Sequence, residues 1–434
     1  MKKILVLLLL GLLFFTCKTE KPEIELPSPT KTKYANDTLV LNSEVYYDKV
    51  LGALVGSAIG DAMGASTEMW HRKSIQLKYG YIKGLTPAVR EQSPEGTWDH
   101  NLMAGATTDD TRWKYLMVKY LETYPNELSA ANFATFITTY YEQLTQDLAQ
   151  ENILKNTDFL DDQIEKIDWI KEWARVALAY QTDRDTYQEA QHRFYGGEMS
   201  CAGQLYTPMF GLVAENPSEA YEIAYNHALF DIGYAKDISA LVSAMTHMAL
   251  RTTDMDSILN TTTFVDPKGY QDSRLVGRIA YAIVDGAQKN IANIRELVLI
   301  DSLIAKDSII LKVPLGFEGS KKDWVRQEMV YQLLEKDERS IAFHSAEIWQ
   351  ILVSGLEFGE GDFLRTIQFI VNYGRDNDTV AAVAGMIMGA KDGFSNLPKE
   401  IREEVLRVNK ENFGIDLEAL AVELTAHGVN PKYD

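Results

Sequence analysis

Cysteine is nearly absent from this chain: Cys17 and Cys201 are the only two in 434 residues. A disulfide framework is therefore excluded as the source of stability, and the fold must be held by its core. Basic charge is the second shortage. Lys and Arg number 43 against 62 Asp and Glu, a formal net charge of −19. A surface of that sign repels polyanions, which excludes nucleic acid as a partner. Strand-like runs are scarce as well, Ser308–Val313 being the best case. No repeat of fixed period stands out, and no internal linker is long or biased enough to cut the body into domains.

The N-terminus has its own pattern. Lys2 and Lys3 precede an apolar run from Ile4 to Phe15, and Thr16 and Cys17 follow it. The run is too short to span a bilayer comfortably, and its basic start marks residues 1–16 as a secretory signal. The cysteine at its end is expected to carry a lipid, so the protein reads as an extracytoplasmic, membrane-anchored lipoprotein. Phe14, Phe15 and Thr16 are bulkier than the small residues usual before such a cysteine, so plain secretion stays open. Residues 17–42, with Pro22, Pro27 and Pro29 among polar residues, read as a tether.

What is abundant is helical periodicity. Apolar spacing predicts helices at Tyr46–Ala65, Asp110–Glu122, Ala130–Leu148, Asp161–Tyr180, Ser218–Phe230 and Ala235–Leu250. It continues at Arg274–Gln288, Ile291–Ile304, Trp324–Leu334, Ala342–Phe358, Asp362–Asn372, Thr379–Ala390 and Lys399–Asn409. The expectation is one all-α body, a compact helical bundle over residues 43–434. Two of these helices carry glycine every fourth residue: Gly52, Gly56, Gly60 and Gly64 in the first, and Gly385 and Gly389, with Gly393, in the one after Asp378. Glycine costs a helix interior about 1 kcal/mol relative to alanine. Such a row is explained by close approach of another backbone, so the two stripes are expected to pack together.

Acidic residues gather at the ends of those stripes. Asp61 lies within the first and Glu68 just beyond it; Asp376, Asp378 and Thr379 open the second; Thr108, Asp109 and Asp110 open a further helix. Taken singly, each reads as an ordinary cap favoured by the helix dipole. Together, Gly60–Glu68 (Gly-Asp-Ala-Met-Gly-Ala-Ser-Thr-Glu), Thr108–Thr111 (Thr-Asp-Asp-Thr) and Asp376–Ala382 (Asp-Asn-Asp-Thr-Val-Ala-Ala) resemble, in order and separation, three signatures of the ADP-ribosylglycohydrolase family. The resemblance runs from about Leu51 to Gly393 and implies a compact all-α fold.

Thr108, Asp109, Asp110, Asp376, Asp378 and Thr379 offer hard oxygen donors, the chemistry of Mg²⁺, Mn²⁺ or Ca²⁺ rather than zinc. Four carboxylates drawn together would repel one another unless cations lay between them. The resemblance implies two divalent ions, Mg²⁺ or Mn²⁺, at those six residues, gripping ribose hydroxyls beside a scissile glycosidic bond. It also implies a site role for Glu68, which can orient or deprotonate the water; Asp109 and Asp110 are counted with it in catalysis. Asp61, inside the striped helix, is expected to be a structural hydrogen-bonding residue. Between the second and third signatures, family members carry a loop that cradles a diphosphate. Its counterpart here, Tyr195–Pro208, keeps Gly196, Gly197 and Ser200, which are expected to line the pocket, but lacks the usual arginine and contains Glu198.

The activity implied is hydrolysis of an ADP-ribosyl or related ribosyl bond on a protein or small molecule. The alternatives are a hydrolase of a different nucleoside-like compound and a binding protein without turnover. Cys201, His247, His344, Trp169 and Trp173 are expected to be packing residues rather than functional ones.

Overall fold

The computed structural model describes residues 35–88, 102–150, 157–298 and 312–426. In chain order the helices among these residues are α1 Ser43–Gly64, α2 Arg72–Tyr79, α3 Asp109–Thr123, α4 Ala130–Gln150, α5 Thr157–Thr182 and α6 Arg184–Phe194. They continue with α7 Pro208–Val213, α8 Pro217–His227, α9 Ala235–Arg251, α10 Met255–Leu259, α11 Thr261–Phe264 and α12 Ile279–Glu296. The set ends with α13 Lys321–Leu334, α14 Ser345–Gly359, α15 Phe363–Tyr373, α16 Asn377–Asp392, α17 Lys399–Phe413 and α18 Leu417–Thr425. The extended structure assigned among them is one antiparallel pair, β1 Trp70–His71 with β2 Gly374–Arg375, and two isolated bridges. No described helix is long and apolar enough to cross a membrane.

The middle of the bundle is the antiparallel pair α1 and α16, buried along most of their length. Their glycine stripes face each other as expected. A Cβ built on Gly52 would lie 2.5 Å from the Gly389 carbonyl oxygen, and one on Gly56, Gly385 or Gly389 would collide with the facing backbone. The stripe continues past glycine: Gly60 faces the Ala381 carbonyl and Gly64 the Asp378 backbone. The contact therefore runs up to the first turn of α16, and Glu68 and Asp378 inherit a fixed separation from it. At the other end, the Lys49 ammonium donates to the carbonyls of Ala390 (2.9 Å), Lys391 (3.0 Å) and Ala249 (3.3 Å), neutralising the C-terminal ends of α16 and α9.

Helix α3 is the third member of the core. Trp113 is fully buried, with ring centroids 4.7 Å from Trp173, 5.1 Å from Tyr206 and 5.6 Å from Trp169, so the tryptophan pair on α5 is packing, as its spacing implies.

Three features differ from the sequence reading. Residues 35–42 fall within the expected tether, yet Ala35 and Leu39 are buried and the Leu39 amide donates to the Glu215 carbonyl at 2.8 Å. Two helices expected at Arg274–Gln288 and Ile291–Ile304 are one over their shared part, since α12 runs unbroken from Ile279 to Glu296. Helices α2, α6, α7, α10, α11 and α18 were not expected; of these α18 buries Leu417, Leu420, Ala421 and Leu424. Helix α6 has no fully buried side chain, only a half-buried face of Tyr187, Ala190 and Phe194 on the core, and α2 buries only Arg72 and Ile75, so the apolar stripe of each is short. The strand expected at Ser308–Val313 falls mostly outside the described residues, as do the signal at 1–16 and Cys17.

Candidate active site

Asp61 is the structural base of the site. It is fully buried, and it accepts from the Thr108 amide (3.0 Å) and hydroxyl (3.0 Å) and from the Thr111 amide (3.0 Å) and hydroxyl (2.6 Å). A residue of α1 thus holds the N-terminus of α3, where orphan amides attract negative charge. Burial first, then the charge of Asp110, pushes its carboxyl up to about 7.

Thr108 caps α3, accepting from the Asp110 amide at 3.4 Å, and its hydroxyl reaches 3.5 Å from Asp378 Oδ2. Asp110 is buried between two donors: Lys114 Nζ lies 3.2 Å from Oδ1, and the Thr379 hydroxyl donates to Oδ2 at 3.0 Å. That last bond joins two motifs 269 positions apart. Asp109, partly exposed, is pushed up to about 8 by desolvation and by the charges of Asp110 and Glu68.

Asp376 occupies the N-cap position of α16 but makes no capping hydrogen bond, so the ordinary explanation for an acid at a helix start fails there. Its carboxylate belongs instead to a cluster. Oxygens of Glu68, Asp376 and Asp378 all lie within 4.8 Å of one another. Asp378 is buried, and its Oδ1 has no hydrogen-bond partner. Burial, followed by the charges of Glu68, Asp376, Asp110 and Asp61, drives its carboxyl well above the usual range.

Glu68 reaches this cluster because the chain beyond α1 is stitched to the start of α16. The Met69 amide donates to the Arg375 carbonyl at 2.7 Å, β1 pairs Trp70 with Arg375, and the Asn377 side chain donates to the Thr67 hydroxyl at 2.9 Å. The expected metal positions and Glu68 are thereby brought to one end of the α1–α16 pair. Three close carboxylates, an orphaned buried oxygen and two threonine hydroxyls form an all-oxygen donor set, which fits a hard divalent cation.

The Tyr195–Pro208 loop meets the same end. Residues 199–201 run against 343–345: the Ser345 amide donates to the Met199 carbonyl (2.7 Å) and the Cys201 amide to the Phe343 carbonyl (2.9 Å). Ser200 is buried with an unpartnered hydroxyl, whereas Gly196 and Gly197 are exposed, at φ 61° and 83°, in open space. Glu198 is exposed.

Cys201, expected to be a packing residue, is buried but its Sγ lies 3.7 Å from Asp376 Oδ2; burial and that carboxylate push the thiol well above its ordinary value, so it is no thiolate nucleophile. His247 is a core residue, its Nδ1 donating to the Gly211 carbonyl at 3.0 Å, and His344 caps α14 through Nδ1. Sequence reasoning missed Lys114. Its spacing of four from Asp110 on one helix was the available signal.

The family model described as ADP-ribosylglycohydrolase matches residues 42–432. The chain is similar to the uncharacterized protein YegU of Escherichia coli (strain K12), 22% identical over 374 residues that cover 86% of this chain and 96% of that protein. A solved structure described as an ADP-ribosylglycohydrolase-related protein complex shares the fold at a TM-score of 0.54 and 17% identity, covering 88% of this chain and 99% of its own. With a match that takes in nearly the whole body and every acidic residue just described, this chain belongs to the ADP-ribosylglycohydrolase family.

Proposed function

We propose that this protein is a divalent-metal-dependent hydrolase that cleaves the glycosidic bond at the anomeric carbon of an ADP-ribosyl or related ribosyl group. Family membership supports glycoside hydrolysis and ADP-ribosylated substrates in general terms. The observation that carries the metal dependence is the cluster of Glu68, Asp376 and Asp378, with an orphaned buried oxygen on Asp378. Desolvated carboxylates at that spacing are strongly destabilised as anions without a counter-charge.

Thr108, Asp109, Asp110, Asp376, Asp378 and Thr379 would hold two divalent ions, Mg²⁺ or Mn²⁺. Such ions supply neutralising charge and polarise hydroxyl or water oxygens. The protein's own groups do the rest. A Glu68 carboxylate oxygen takes a proton from the attacking water as its oxygen bonds to the anomeric carbon, and the leaving group departs with the electron pair of the broken bond. Lys114 and Thr379 fix the two oxygens of Asp110, and Asp61 fixes the turn that carries Thr108 and Asp109. Ser200, buried next to the residue that contacts Asp376, would line the inner wall of the pocket, with exposed Gly196 and Gly197 further out.

Glu198 favours a second reading of the substrate. Its charge reaches Tyr234 and His344, and a carboxylate near a diphosphate costs about 1 kcal/mol at roughly 4 Å in water, more when sheltered. A less anionic ribosyl compound fits that rim better than ADP-ribose. The enzyme acts outside the cytoplasm, anchored through Cys17.

One experiment addresses these points together. Protein from the membrane fraction, and Cys17→Ser protein, are incubated with ADP-ribosylated peptides, small ADP-ribosides and nucleosides, with and without Mg²⁺ or Mn²⁺. Cation-dependent release of a ribosyl product, with Cys17→Ser protein active but soluble, is the expected result. No turnover of any substrate would point to a binding protein, and undiminished membrane retention of Cys17→Ser would remove the anchor.

A further inference from the structure

Among the described residues, three non-glycine residues adopt a left-handed φ, and two of them flank the carboxylate cluster: Met69 at 61°, next to Glu68, and Arg375 at 65°, next to Asp376. L-residues with side chains disfavour this region, and they persist there only where their surroundings over-determine them. The two are also joined to each other, since the Met69 amide donates to the Arg375 carbonyl and Arg375 pairs with Trp70 in the β1–β2 ladder.

What over-determines Arg375 is visible. Its guanidinium forks onto Glu347, Nε to Oε1 at 2.6 Å and Nη2 to Oε2 at 3.1 Å, while Nη2 also donates to the Arg339 carbonyl at 2.8 Å. Glu347 is buried in the first turn of α14, and its Oε2 accepts from the Arg339 amide at 2.5 Å. A planar fork against a fixed carboxylate sets direction as well as distance, which a lysine would not do. Neither member of the pair is one of the three clustered carboxylates.

We propose that Arg375 and Glu347 are positioning residues for the acidic centre. The ion pair holds Arg375 in its strained conformation, this aims the Asp376 carboxylate into the cluster rather than onto the α16 amides, and the ladder carries the same constraint to Glu68. The inference rests on the reading of the cluster as a divalent-ion site, but the conformational part is measurable without any ion.

The test uses the full chain, Glu347→Gln, and Glu347→Gln with Arg375→Gly. Glutamine keeps an acceptor for the Arg339 amide but removes the charge, and glycine adopts positive φ without strain. In chelator-treated protein, amide exchange across residues 67–71 should become about tenfold faster or more in Glu347→Gln, with α1 and α16 as protected as before. Affinity for Mg²⁺ or Mn²⁺ by calorimetry should fall by roughly 10- to 100-fold, the usual effect of removing a group that orients metal ligands. The double variant should recover melting temperature but not ion affinity. Unchanged exchange at 67–71, or ion affinity returning along with stability in the double variant, would overturn the proposal. If the unmodified protein binds neither ion, the divalent-ion reading is what fails, and the exchange ratio alone decides the role of the pair.

Discussion

At the scale of single residues, similar carboxylates do different work because their surroundings differ. Asp61 spends both oxygens on α3, Asp110 is held between Lys114 and Thr379, and Asp378 keeps one buried oxygen unpartnered. Of the three, only Asp378 keeps an oxygen with no hydrogen-bond partner at all. Glu68 lies partly exposed at the edge of the cluster, and in the proposed mechanism it is the group that would take the proton. Glu68→Gln should therefore lower turnover by about 10²- to 10⁴-fold, while removing one like charge from the cluster leaves the melting temperature of the metal-free protein unchanged or higher. Near-normal turnover would show that another group moves the proton. The hydrogen-bonding role of Asp61 was legible from its place inside a glycine-striped helix, whereas the role proposed for Glu68 comes from the family resemblance. The contact of Cys201 with Asp376 was not, because it depends on residues 199–201 pairing with 343–345, and no local pattern encodes that pairing.

At the scale of elements, the glycine stripes of α1 and α16 make the site possible. Gly56→Ala would drive a methyl group into the Gly385 carbonyl, and helices this tightly flanked cannot part without disturbing the core. A loss of about 1–3 kcal/mol or more is expected in denaturant unfolding, with ion binding lost alongside it because the Glu68–Asp378 separation is set by the same contact. Alanine at half-buried Gly286 in α12, where a Cβ meets nothing within 4 Å, serves as the control and should instead raise stability by up to about 1 kcal/mol. This packing was readable from spacing alone, since no cheaper explanation exists for glycine every fourth residue. Helix α6 was missed because its stripe is short and only half-buried, Tyr187, Ala190 and Phe194 standing among charged and polar residues.

A second element-level prediction concerns acid. His227, buried at the end of α8, donates through Nδ1 to the Ile223 carbonyl (2.7 Å) and so accepts at Nε2 from the Tyr120 hydroxyl (2.8 Å). Burial lowers its pKa from the ordinary 6.5 to about 4. The unfolded chain takes up this proton below pH 6.5 and the folded chain does not, so the histidine's contribution to stability is present above pH 6.5 and is lost as pH falls toward 4. The melting-temperature advantage of the unmodified protein over His227→Gln should narrow between pH 7 and pH 4.5. A constant gap would mean that His227 is not held neutral.

At the scale of the whole molecule, the chain encloses an acidic centre inside a body that is itself acidic, with a formal net charge of −19. Both scales of charge favour small cations and disfavour polyanions. Three motifs, the first two 47 positions apart and the third 270 further on, meet at one end of one helix pair. The meeting of the first and third was legible from the facing glycine stripes and the joining of the second only as a resemblance; the bonds that enforce it, Thr379 to Asp110 and Asn377 to Thr67, belong to the tertiary fold. The central claim is that this convergence builds a site for divalent cations. The most direct measurement is calorimetric titration of Mg²⁺ and Mn²⁺ into chelator-stripped protein, paired with melting curves in chelator and in excess ion. Ions that bind only the folded state stabilise it by mass action, about 2.7 kcal/mol at a hundredfold excess over Kd. Saturable binding with a raised melting temperature is expected; no binding heat for either ion, together with a melting temperature that chelator does not move, would mean that the carboxylates do not form a cation site.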